Sequence, residues 1–89
     1  MNAMKRPFFK SFCDQRGDHH FRLGRYELAA KWYRRAGNAE RTGDALFAQG
    51  AFAGAIAQFA GCGQNRKAAE CALAMKDYEA AAEHFIFAG

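Results

Sequence analysis

Residues 22–37 read RLGRYELAAKWYRRAG, residues 48–63 read AQGAFAGAIAQFAGCG, and residues 74–89 read AMKDYEAAAEHFIFAG. The three stretches align without a gap at an offset of 26 residues. One column is aromatic (Tyr26, Phe52, Tyr78) and the next is small (Ala29, Ala55, Ala81). A second aromatic column follows (Tyr33, Phe59, Phe85), then a small one (Ala36, Cys62, Ala88) and a glycine stop (Gly37, Gly63, Gly89). The columns fall at i, i+3, i+7 and i+10, which is one face of an α-helix. Glycine after such a face suits the left-handed residue that ends a helix. Each unit therefore predicts a helix of about ten to twelve residues before its glycine.

Outward from these stretches the repeat continues more weakly. Gly17, Gly43 and Ala69 share a column, as do Phe21, Phe47 and Leu73. This half predicts a first helix in each unit, over about 7–23, 39–49 and 66–75. Pro7 suits a first helical turn. Asn38, Asn65 and Asp77 are residues that cap helix starts. Gly24 and Gly50 mark the bend between paired helices, and Lys76 takes that place in the third unit. The chain has no Val, two Ile and one Thr, so it lacks the β-branched residues that strands favour. Its 89 residues make one small domain, and an apolar fraction of 51% with 25% charged residues excludes intrinsic disorder. The expected fold is all-α, a solenoid of three antiparallel helical hairpins over about 7–37, 38–63 and 64–89, each burying its apolar face on its neighbour.

The spacing Gly17, Ala29, Tyr33, Ala36, with Tyr26 opening the second helix, resembles a tetratricopeptide repeat. The phrases LGRYELAAKWYRRAG and KDYEAAAEHFIFAG are similar to the second half of that motif, and the likeness runs from about Lys10 to Gly89. The period is shorter than that family's, about 34 residues, so the nearer likeness is to short hairpin solenoids of vesicle-coat and intraflagellar-transport scaffolds. The resemblance implies a protein-interaction scaffold without catalysis. It also implies a groove lined by the first helices: Asp14, Asp18, Phe21 and Arg22, then Glu40, Asp44 and Phe47, then Arg66, Glu70 and Leu73. Asp14 and Asp18 stand where the family's clamp for a peptide carboxylate would hold anion-binding residues, which points to a basic or mixed ligand helix.

Charge is concentrated at one end. Residues 1–37 carry nine Lys+Arg and three Asp+Glu, whereas the two following units are each net −1. Lys31, Arg34 and Arg35 share a helix face. Such a patch beside aromatics can hold a phosphate backbone, so nucleic-acid binding through the first hairpin is the rival reading. Trp32 shares its column with Gln58 and His84. A column that accepts Gln and His is not deep core, so Trp32 with Arg25 or Arg35 is a candidate interface anchor.

No constellation suggests chemistry. His19 and His20 are adjacent, point about 100° apart on a helix, and lie two hairpins from His84; no metal or cofactor is expected. Cys13, Cys62 and Cys71 lack metal-like spacing, and Cys62 shares a column with the packing alanines Ala36 and Ala88. An odd set of three thiols fits a reducing cytoplasm. Met1–Phe12 is basic but lacks a signal peptide's apolar run, and the uncharged stretch at 45–65 is too rich in Gly and Gln for a membrane span. Phe8, Phe9 and Phe12 at one end, and Ile86 and Phe87 at the other, leave apolar solenoid ends that are expected to self-associate, two-fold or head to tail. A longer native chain is the alternative.

Overall fold

The computed structural model describes residues 5–89, with side chains from Phe8 onward. Met1 to Met4 and the side chains of Lys5, Arg6 and Pro7 lie outside that description, including the start of the basic N-terminal stretch. Six helices follow in order: α1 (Lys5–Arg22), α2 (Tyr26–Arg35), α3 (Ala39–Gln49), α4 (Phe52–Gly61), α5 (Asn65–Ala74) and α6 (Tyr78–Ala88). Among the described residues there is no strand. Each helix packs on the next in the chain, and no other pair of helices packs extensively. The result is an elongated body of 43 × 28 × 16 Å.

The same chemistry ends five of the helices. Gly24, Gly37, Gly50 and Gly63 hold φ of 75°, 70°, 87° and 81°. Behind each, the next amide reaches back six residues inclusive: Arg25 N to His20 O, Asn38 N to Tyr33 O, Ala51 N to Leu46 O and Gln64 N to Phe59 O, at 2.7–3.0 Å. This satisfies carbonyls that a helix end would otherwise leave bare. Lys76 makes the fifth such turn at φ 62°, the only non-glycine with positive φ among the described residues, and Asp77 N closes it on Ala72 O. Among the described residues two helix starts are capped by side chains: Asn38 Oδ1 accepts from Arg41 N, and Asp77 Oδ1 accepts from Ala80 N, both at 3.1 Å. Asn65 is not a cap. It lies inside α5, and Gln64 holds the capping position without a side-chain bond. The register explains this, because Gln64, not Asn65, is the residue 26 positions after Asn38.

The small columns bury the helix contacts. Ala29, Ala55 and Ala81 are almost wholly excluded from solvent. In the first two units the aromatic ring lies directly on glycine: a methyl built on Gly17 would stand 2.5 Å from the Tyr33 ring, and one on Gly43 the same distance from Phe59. The third unit has Ala69 in that column. Its methyl is present, and Phe85 is 39% exposed, where Tyr33 and Phe59 are 0% and 2%. Cys13 and Cys71 are buried, but Cys62 is exposed. The expected packing role fails for Cys62: Ala36 holds the same place just after α2 with helical dihedrals and is buried, whereas Cys62 after α4 turns to φ −109° and is exposed, as is Ala88.

Candidate interaction surfaces

Two surfaces gather the candidate residues. The first runs across α1, α3 and α5, the first helix of each unit. Asp14 accepts from Lys10 Nζ at 3.3 Å and from Asn38 Nδ2 at 3.1 Å. Asp18 accepts from the Tyr33 hydroxyl and from Arg41 at 3.4 Å. Asp44 accepts from Arg41 at 3.1 Å and from Lys67 at 3.1 Å. Lys67 also reaches Glu40 at 2.8 Å, and this bond, assisted by Asp44, holds the ammonium above its ordinary pKa. The expected acidic groove is thus a ladder in which Lys10, Arg41 and Lys67 answer the acids. Glu70 is the exception, exposed and without an ion pair or hydrogen bond among the described residues.

Arg41 and Lys67 are the residues that sequence reasoning passed over. They share one column, with Gln15, and each reaches back into the preceding unit. Arg41 lies 5.1 Å from the centres of both the Phe21 and Tyr33 rings, and Lys67 lies 5.3 Å from that of Phe59. Acid, ring and cation therefore recur together at both junctions between units. The column could have been found by aligning charged positions as well as apolar ones. Between α3 and α5 the surface dips into a cavity of about 210 Å³ lined by Asp44, Phe47, Phe59, Lys67, Glu70 and Cys71. Phe47 is exposed there and leans on Phe52 at 5.3 Å between ring centres.

Tyr33 is the hub of the first junction. Burial, followed by the bond to Asp18, raises its pKa from 10.0 to about 12. The folded chain holds this proton more tightly than the unfolded chain. Its contribution to stability is therefore complete below pH 10 and is lost as pH rises toward about 12. Urea melts across that window should show stability falling, and Tyr33→Phe should remove the latest step in phenolate absorbance.

The second surface surrounds Trp32 on α2. Arg35 lies 5.0 Å from the ring centre and Arg16 5.6 Å, while Phe12 meets the ring edge-on at 5.8 Å. Trp32 is half-buried as a result, and Phe12, although 53% exposed, belongs to this cluster. Arg25 does not join it; it lines a separate recess with Tyr26, Ala48 and Gln49. Arg22 lines a third recess with Phe12, Arg16, Asp18 and His19. Phe8, Phe9, Ile86 and Phe87 are all exposed. Among the described residues no group of three potential metal ligands comes together, and no helix is long and apolar enough to cross a membrane. No protein-family model, no curated protein and no solved structure matches this chain.

Proposed function

We propose that the chain is a short α-solenoid of three stacked helical hairpins, similar to tetratricopeptide arrays, and that it works as a non-enzymatic scaffold for another protein. The observation that carries this reading is the cavity between α3 and α5. It combines an exposed aromatic (Phe47) with two acids, Asp44 and Glu70, and a lysine, and Leu73 lies exposed in the column of Phe47. An apolar floor with charged edges suits an amphipathic helix that brings its own basic residues. The repeated junction chemistry supports the solenoid, since each unit offers the next the same acid and ring.

Affinity capture with the folded chain and with a Phe47→Ser/Leu73→Ser variant tests it. A bound protein that the variant loses supports the scaffold. The rival outcome is retained nucleic acid, with affinity falling steeply with salt and lost on Arg34→Ser/Arg35→Ser. That result would move the function to the basic surface of the first unit and overturn the scaffold reading.

A further inference from the structure

We infer that the α5–α6 face is the contact surface of a two-fold dimer of this chain, closed by reciprocal Arg66–Glu70 ion pairs. The inference rests on the scaffold reading above and names a second copy as one partner.

The two internal junctions show what such a face expects. At each, a first helix offers an acid, a second helix offers a ring, and the following unit covers both with a cation. Arg41 meets Asp18 and Tyr33; Lys67 meets Asp44 and Phe59. The third unit repeats the offer with Glu70 and Phe85, and these are uncovered. Ala82 is exposed where its counterpart Ala30 is buried, and α6 packs extensively only on α5. Ile86, 76% exposed, adds apolar surface next to Phe85.

The charges on this face differ from those inside. At the second junction Glu40 and Asp44, one turn apart on α3, both accept Lys67, so these two columns face the following unit. In the third unit the same columns hold Arg66 and Glu70. A single lysine arriving as Lys67 does would meet a like charge at Arg66. A second copy turned about a dyad midway between the two residues brings Arg66 opposite Glu70 and Glu70 opposite Arg66, as a two-fold contact requires. Neither residue has an ion pair among the described residues to give up. The phenylalanine and isoleucine of both copies then meet beside the paired charges.

Head-to-tail stacking does not fit. It would seat α1 of the next copy where α3 and α5 sit inside the chain. Their buried contact positions are small: Thr42 and Ala45, then Ala68 and Cys71. The same columns of α1 hold Arg16 and His19, and the cation column holds Gln15.

Sedimentation of the full chain over a concentration series, with circular dichroism to verify folding, tests the inference. A monomer–dimer equilibrium is expected. Arg66→Glu and Glu70→Arg should each weaken it about tenfold or more, because each homodimer then opposes like charges. Mixing the two variants should restore the dimer, since every opposed pair is again of opposite sign, and so should the Arg66→Glu/Glu70→Arg double variant. A monomer at all concentrations, growth beyond two copies, or a dimer indifferent to both changes would overturn it, as would mixing without recovery. The monomeric Arg66→Glu chain should still bind a protein through Phe47 and Leu73, so failure of the dimer and failure of the scaffold reading give different results.

Discussion

Phe59→Ala is expected to lower the unfolding free energy by about 3–5 kcal/mol, a large part of the ~5–15 kcal/mol that domains of this kind possess. Phe59 is 2% exposed and belongs to the continuous core with Ala45, Leu46, Ala55 and Ala68. Its ring lies on Gly43 and beneath Lys67. Truncation empties the second junction, and the helices cannot close the gap because alanines already bring them near contact. Lys67 also loses its cation–π partner, while its bonds to Glu40 and Asp44 remain. The same change at exposed Phe87 should cost well under 1 kcal/mol. Urea melts of the two variants provide the comparison, and similar midpoints would deny Phe59 its place at the centre of the fold.

Gly43→Ala should destabilise by about 1–3 kcal/mol, although replacing a helical glycine by alanine ordinarily stabilises by ~1 kcal/mol. The added methyl would stand 2.5 Å from one ring carbon of Phe59 and 2.7 Å from another. Something must move, and the third unit shows the outcome: alanine in the column and its ring partly in water. The sign should reverse when the ring is absent. In a Phe59→Ala background, Gly43→Ala meets no obstacle and should stabilise, giving a coupling between the two sites of about 2–4 kcal/mol, the sum of the two opposite effects. Equal effects in both backgrounds would mean that the glycine serves something other than close approach of the ring.

The helices were legible because each signal occurs three times. One glycine stop is ambiguous, but Gly37, Gly63 and Gly89 in register with Tyr33, Phe59 and Phe85 are not. Range 39–49 agrees with α3 as observed, and range 66–75 is one residue late for α5. That error came from taking Asn65 as a cap on residue type alone, against the register that makes Gln64 the counterpart of Asn38. Cys62 misled for a different reason. It holds the same place after its helix as Ala36, but Ala36 keeps helical dihedrals and is buried, whereas Cys62 turns to φ −109° and is exposed, a local backbone change that a column of small residues does not announce. The junction contacts were not legible from local spacing. Arg41 and Lys67 find their acids 23 and 27 residues back, in the preceding unit, and only the packing of one unit on the next reveals the pairing. At Trp32 the column shared with Gln58 and His84 marked a ring outside the deep core, and Arg35 lies over it as its helical neighbour, but the contacts of Arg16 and Phe12 come from α1 and were not legible from that column.

The stacking of one repeated unit is tested most directly by adding another. A second copy of residues 38–63, inserted between Gly63 and Gln64, would place its Arg41 in the column of Lys67, facing Glu40 and Asp44 of the copy before it. Every contact at the new junction then has a counterpart in the existing ones. Thermal unfolding followed by circular dichroism should show the same helical signal per residue and a single transition at a higher temperature than the parent chain, because each added unit contributes its own interface. A lengthened chain that melts earlier, or without a cooperative transition, would contradict the stacked repeat.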